Sequence, residues 1–194
     1  LAKSDYPPSP MGGHIMPGDC AMLAQSDDTE AEPGTSPAFI RSLSVVLTHL
    51  VGVSQNNGVV TRFHAVRPPQ IPLLDYLGRI KHYFQCSMEC FVLALVYIDR
   101  IVKFHPEFQI SELNVHRLTV TSVMIAAKFF DDHYFSNAYY AKVGGVPPRE
   151  VNLLESYFLN LINWQMYVAP EEFALYRDHV LRAVPASDQT CESG

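Results

Sequence analysis

A charge-free segment near the middle of the chain constrains the fold more than any other feature. Between Arg117 and Lys128 the ten residues LTVTSVMIAA carry no charge. A helix of this composition offers no charged face to water, so other parts of the protein must surround it. Ten residues are too few to cross a bilayer, which takes about 20. We therefore predict a central helix over residues 113–132, with Asn114 as its N-cap.

Apolar residues recur at three- and four-residue steps in segments on both sides of this helix, as amphipathic helices require. The pattern predicts further helices over residues 38–52, 73–85, 88–104, 136–142, 149–163 and 170–183. Ser87 is expected to cap the helix that begins at Met88. Strand-like alternation nowhere extends beyond a few residues, so the predicted fold class is all-α, packed around one central helix.

The two ends of the chain differ from this helical part. Residues 1–37 are rich in Pro, Gly, Ser and Asp and have no apolar periodicity, so they are predicted to form a flexible tail. Residues 184–194 are predicted to form a second tail, which leaves a folded domain over residues 38–183. Ser9 and Ser36 each precede a proline and are candidate sites for proline-directed phosphorylation.

Composition argues against several partners and compartments. The net charge is −6, so no general attraction to nucleic acid phosphates is expected. Neither a signal peptide nor a membrane-spanning segment is predicted. The four cysteines do not form a dense disulfide framework, which indicates a reducing compartment, the cytoplasm or nucleus or both.

The chain contains none of the common catalytic motifs. We find no phosphate-binding loop, no Gly-x-Ser-x-Gly elbow and no His-Glu-x-x-His zinc motif. His82, Cys86 and Cys90 follow one another at four-residue spacing, but a closed tetrahedral site needs a fourth ligand, and none is near in sequence. Buried cysteines are the favoured interpretation. We therefore predict a protein that is not an enzyme, without cofactor, metal or small-molecule substrate.

Two charged residues interrupt otherwise apolar helix faces. Lys128 shares its face with Met124, and Glu155 shares its face with Phe158 and Leu159. These charges either pair with each other or with backbone inside the fold, or lie on an exposed apolar surface that binds a partner. The pattern alone leaves both interpretations open.

Four segments of the sequence resemble cyclins, specifically the single-box phosphate-regulon type, also grouped as P/U-type cyclins. They are YLGRIKHYFQCSMECFVLALVYIDR (76–100), NVHRLTVTSVMIAAKFFDD (114–132), FSNAYYAKVGGV (135–146) and LLESYFLNLINWQMYV (153–168). The third segment is typical of this subgroup. The resemblance covers residues 37–168 and implies a five-helix cyclin box over about 72–168, flanked by the helices at 38–52 and 170–183.

The resemblance implies a regulatory subunit that binds and activates a cyclin-dependent serine/threonine protein kinase. In cyclins, a lysine near the end of the third box helix and a glutamate in the fifth contact the kinase, and the motifs place these at Lys128 and Glu155. Partner docking is thereby favoured over an internal pair. Phe129 and Leu159 are expected to add apolar contact area. Asp132 either faces basic residues of the kinase activation segment, in place of a phosphate, or is simply an exposed aspartate.

The sequence also departs from cell-cycle cyclins. Gln70 occupies a position where most of them carry an arginine of a substrate-docking patch, so that patch is not expected here. The aspartate at the Asp99 position usually pairs with that arginine, and here Arg79 or another base is expected to replace it. The alternative function is a cyclin-fold interaction module in a transcription complex, against which the negative charge counts. The resemblance fits both a cell-cycle and a phosphate-signalling role.

Overall fold

A computed structural model describes residues 37–53 and 59–183. Within these residues the chain forms seven helices and no strand, which confirms the predicted all-α class. The helices are α1 (Pro37–Val53), α2 (Leu73–Phe84), α3 (Met88–Phe104), α4 (Val115–Phe130), α5 (Asn137–Gly144), α6 (Pro148–Leu161) and α7 (Pro170–Arg182). None of these helices has both the length and the apolar character needed to cross a membrane. Ser9, Ser36, residues 1–36 of the predicted tail 1–37 and the whole predicted tail 184–194 lie outside the described residues, while Pro37 is the first residue of α1.

Helix α4 lies at the centre, as its charge-free sequence predicts. Residues 118–127 are all buried, and α4 packs against α2, α3, α5 and α6. Ser122 and Ala126 are fully buried, and their small side chains permit close approach of the neighbouring helices. Helices α2 to α6 are the five that the resemblance implies, and α1 and α7 flank them.

The start of α4 differs from the prediction. Asn114 occupies the N-cap position, but its side chain makes no capping hydrogen bond. The buried amide instead binds the loop before the helix, because its Oδ1 accepts from the Ser111 N–H at 2.8 Å and its Nδ2 donates to the Gln109 carbonyl at 2.7 Å. A fully buried amide must satisfy both its donor and its acceptor, and this loop offers one of each.

Helix α7 packs against α1 and α3 and is held there by a polar network. The Asp99 carboxylate accepts from Lys103 Nζ at 2.6 Å and from the Tyr176 hydroxyl of α7. Of the two candidates for the partner of Asp99, Arg79 or another base, the structure shows another base, Lys103. Arg79 lies on α2 and donates to the Lys142 carbonyl. Lys103 lies one helical turn after Asp99 on α3, a spacing at which the two side chains are neighbours.

Helices α5 and α6 begin and end near their predicted positions. Ser136 caps α5, since its Oγ accepts from the Tyr139 N–H at 3.3 Å. Gly145 ends this helix in the left-handed conformation, with φ of 67°. Helix α6 ends at Leu161, two residues before the predicted end, because Asn163 and Trp164 are both left-handed.

One glycine of α5 is required by packing. A Cβ on Gly144 would lie 2.8 Å from a Val120 side-chain carbon of α4. The Gly144 carbonyl also accepts from the buried Tyr76 hydroxyl at 3.0 Å. Burial raises the pKa of Tyr76 above its ordinary value, so the hydroxyl remains a donor. The close approach of Gly144 to Val120 fixes the position of α5 against α4. The first turn of α5 therefore lies near the C-terminal end of α4.

Candidate partner-binding site

The two charges singled out in the sequence meet where α4, α5 and α6 converge. Lys128 lies in the last turn of α4 and Glu155 in the middle of α6. Lys128 Nζ is 2.5 Å from Glu155 Oε1 and donates to Asn137 Oδ1 at 3.0 Å. Asn137 Nδ2 donates to Glu155 Oε2 at 2.7 Å and to Asn152 Oδ1 at 2.8 Å. We call these four residues the Lys128 cluster.

The ion pair of the Lys128 cluster is half-buried and borders solvent. The side chains of Lys128 and Glu155 are 29% and 19% exposed. An ammonium has three donors, and the third donor of Lys128 has no partner among the described residues. The internal pair and a surface position are therefore both present, so it was wrong to treat them as alternatives.

Asn137 belongs to this cluster although the sequence did not single it out. It is the first residue of α5, directly after the capping Ser136. Its amide has a donor and an acceptor, so one side chain bonds both Lys128 and Glu155. Asn137 lies in the FSNAYYAKVGGV segment, which could have drawn attention to it. The local sequence does not indicate which helices α5 packs against, so the charged partners of Asn137 could not be predicted.

Exposed aromatic residues follow Lys128 directly along the chain. Phe129, Phe130 and Tyr134 are 55%, 53% and 59% exposed, and we call them the aromatic rim. Large apolar groups left in water beside polar groups are typical of protein-binding surfaces. Phe129 was named in advance as a partner contact, whereas Phe130 and Tyr134 were not. Leu159, also predicted, lies one turn after Glu155 on α6 and is half-buried against the core.

The two aspartates that follow the aromatic pair differ in their surroundings. Asp131 ends α4, and its carboxylate accepts from the Ser87 N–H at 3.0 Å and from the Ser87 hydroxyl at 2.6 Å. The prediction that the Ser87 side chain caps α3 was wrong: it makes no capping hydrogen bond, and its hydroxyl is oriented to donate to Asp131. Asp132 is exposed, and its carboxylate has no partner among the described residues.

The connection between α4 and α5 is anchored by aromatic contacts. The Phe135 N–H donates to the Tyr140 hydroxyl at 3.0 Å, and the Phe135 ring stacks on Tyr139 at 4.3 Å between centroids. Burial raises the pKa of Tyr140 to about 12, so the hydroxyl stays protonated. With Asp131 bound to α3 at the other end, residues 131–135 are held at both sides. Asp132 and Tyr134 are thereby presented to solvent.

A second ion pair joins the same two helices at another point. Arg117, in the first turn of α4, has Nη1 2.6 Å from Glu150 Oε1 of α6. The two side chains are 24% and 30% exposed, close to the values for Lys128 and Glu155. This pair provides a matched control for experiments on the Lys128 cluster.

Comparison with known proteins gives the family. A sequence model described as Cyclin matches residues 18–166. Cyclin-U4-1 of Arabidopsis thaliana is 49% identical over 152 residues, 73% of this chain and 75% of that protein. Cyclin-U1-1 of the same plant is 36% identical over 86% of this chain and 88% of its own length. Cyclin-P4-1 of Oryza sativa subsp. japonica is 40% identical over 64% and 58%. The chain belongs to the cyclin family of regulatory proteins, within its P/U-type group.

Proposed function

We propose that this cyclin binds a cyclin-dependent protein kinase and activates it, using the Lys128 cluster and the aromatic rim as the contact surface. One observation carries the proposal. Two half-buried opposite charges, held by hydrogen bonds in a fixed arrangement, lie next to exposed aromatic residues in the chain. Family membership supports a kinase as the kind of partner.

The chemistry of the cluster suits the ends of helices in a partner. The free donor of Lys128 can satisfy an unpaired carbonyl at the end of an approaching helix, and the outer lone pairs of Glu155 can accept from N–H groups at a helix start. Asn137 and the ion pair already fix both rotamers, so binding costs less side-chain entropy. Phe129 supplies apolar area beside them.

Activation follows as a shift in the conformations of the kinase. The cyclin holds the mobile regulatory helix of the kinase in the position where the kinase's own lysine–glutamate pair forms. The cyclin supplies no reacting group. Its effect is limited by the difference between its affinities for the active and inactive kinase. Asp132 adds an exposed negative charge toward basic residues of the activation segment.

The first experiment tests the kinase relationship itself. The full chain is mixed with a panel of purified cyclin-dependent kinases, and complex formation and phosphorylation of a peptide substrate are measured. We expect a one-to-one complex with at least one kinase and faster phosphorylation of the peptide when the cyclin is present. Absence of binding to every kinase, together with DNA binding that weakens with salt, would instead support the transcription-complex alternative.

We further propose that the protein acts in the cytoplasm, the nucleus or both. Imaging of a tagged chain in cells tests this.

The second experiment separates docking from internal pairing. The double variant Lys128→Glu/Glu155→Lys keeps an ion pair between α4 and α6 but reverses its polarity toward a partner. Asn137 can rotate its amide to serve the reversed pair. The control Arg117→Glu/Glu150→Arg reverses the other pair, which joins the same helices with similar exposure. We expect both doubles to melt near the parent temperature and the first alone to lose kinase binding. Normal binding by the first would contradict the assignment of this surface.

A further inference from the structure

We propose that Cys86, Cys90 and Asp131 form a binding site for a divalent cation that takes thiolate ligands, of the Zn²⁺ class. One sulfur from each cysteine and a carboxylate oxygen all lie within 4.8 Å of one another. Cys90 Sγ is 3.3 Å from Asp131 Oδ2. In a tetrahedral site with Zn–S about 2.3 Å and Zn–O about 2.1 Å, the ligand atoms are about 3.6–3.8 Å apart. Small side-chain movements therefore suffice to hold the cation.

The ligands come from two remote segments. Cys86 lies just before α3 and Cys90 in its first turn, and Asp131 ends α4, 41 residues after Cys90. The sequence argued against a metal because no further ligand lies near the cysteines, but packing of α3 against α4 brings the carboxylate to them. His82, the other candidate by spacing, is exposed, lies outside this group and packs against Tyr83.

The surroundings leave one coordination position to water. Cys90 is fully buried, whereas Cys86 and Asp131 are half-buried, so solvent reaches one side of the group. Three protein ligands and a water complete a tetrahedral zinc site. Asp131 can keep the Ser87 hydroxyl on Oδ1 at 2.6 Å, while Oδ2, which accepts from the Ser87 N–H at 3.0 Å, offers its second lone pair to the cation. Cys90 Sγ and Asp131 Oδ2, 3.3 Å apart, are two of the atoms between which the cation would lie.

The same geometry favours a cation over a disulfide. The Asp131 carboxylate, with Oδ2 3.3 Å from Cys90 Sγ, is a third ligand that a disulfide between the two cysteines would leave unused. A carboxylate attracts a cation. Binding involves no oxidation or reduction: each thiol loses one proton to solvent, and the two thiolates and the carboxylate bind the ion.

Metal binding is tested on the full chain carrying Cys20→Ser and Cys191→Ser, so that Cys86 and Cys90 supply the only thiols. Under a non-thiol reductant, Zn²⁺ is titrated by calorimetry and Co²⁺ by visible and ultraviolet absorption. We expect one ion per chain, a tetrahedral Co²⁺ spectrum with thiolate charge transfer, and a higher melting temperature with Zn²⁺. Failure to bind either ion would overturn the proposal.

Ligand variants assign the site. Cys86→Ser removes a half-exposed thiol, and Asp131→Asn removes the carboxylate while keeping an oxygen acceptor for the Ser87 N–H. Each is expected to weaken Zn²⁺ binding at least tenfold, with the metal-free melting temperature reported for each. Asp132→Asn, the adjacent exposed carboxylate, should bind as the parent does. Unchanged affinity in Cys86→Ser or Asp131→Asn would contradict the proposal, as would an intramolecular disulfide under mild oxidation in a chain that binds no Zn²⁺.

Discussion

Two ion pairs join α4 to α6, and their likeness makes their difference informative. Lys128–Glu155 and Arg117–Glu150 have N···O distances of 2.5 and 2.6 Å and comparable exposure. Only the first is bridged by an asparagine from a third helix, and only the first is followed in the chain by exposed aromatic residues. Our proposal of a partner site at Lys128 therefore rests on the surroundings of the ion pair and not on the ion pair itself.

Measurements of folding stability alone would not distinguish the two ion pairs. Half-exposed ion pairs contribute about 0–1 kcal/mol to folding, because solvent screens them and ordering the side chains costs entropy. Both pairs are in this range of exposure. Binding to a kinase, measured beside stability, is the property in which we expect them to differ.

The largest expected effect comes from single charge reversals. Lys128→Glu places two carboxylates side by side and removes the free donor, so kinase affinity should fall at least about a hundredfold. Arg117→Glu creates the same repulsion against Glu150, and kinase affinity should stay within about twofold. Both should lower the free energy of unfolding by about 1–2 kcal/mol. Calorimetric titration and urea unfolding measure the two quantities, and equal losses of affinity would erase the distinction between the pairs.

Truncation of the aromatic rim should have the next largest effect. Phe129→Ala removes exposed apolar area beside Lys128 and should weaken kinase binding about tenfold. The free energy of unfolding should change by less than about 0.5 kcal/mol, since over half of the side chain is already in water. Leu175→Ala on α7, also exposed, is the control and should change neither quantity. Equal weakening by both variants would mean that the effect is not specific to the rim.

Removal of the bridging amide tests what distinguishes the Lys128 pair from the other. Asn137→Ala deletes the hydrogen bonds to Lys128 and Glu155 and should lower the free energy of unfolding by about 1 kcal/mol. Kinase affinity should fall about threefold, because the ion pair remains but is less fixed. Asn152→Ala, which loses one exposed bond, should have a smaller effect on both. Parent-like affinity in Asn137→Ala would show that the bridge has no part in binding.

The smallest effect is expected from the exposed aspartate. Asp132→Asn removes a charge without changing shape and should slow association with the kinase about two- to threefold at low salt. The difference should disappear at high salt, because exposed charges are screened over about 10 Å at 0.1 M. Glu171→Gln, an exposed acid at the start of α7, is the control. Stopped-flow association rates measure this, and a salt-independent decrease would point to a direct contact instead.

The buried architecture was largely predictable. The charge-free run of α4 required neighbours on all sides, and residues 118–127 are buried among four other helices. An apolar residue within a helix is not always buried, since Leu175 of α7 is 68% exposed. Periodicity identifies a face, but it does not say how far the neighbouring helix extends along it.

The polar contacts were much less predictable. Asn114 and Ser87 occupy N-cap positions, as local preference indicates, yet both side chains bond elsewhere. Ser87 is bound by Asp131, 44 residues away, and capping statistics contain no information about such a partner. Asn137 was missed for the same reason, since only the packing of α5 between α4 and α6 gives its amide two charged neighbours.

The sequence by itself determined which residues leave water and which charges must find partners. Burial is non-directional and adds along a helix face, so it can be read from spacing alone. Tertiary structure decided which partner each polar group found: Lys128 met Glu155 and Asn137, and Asp131 met Ser87 and Cys90. A hydrogen bond requires a particular atom at about 3 Å and in the right direction. That atom comes from a segment remote in the chain, and only the assembled helices bring it there.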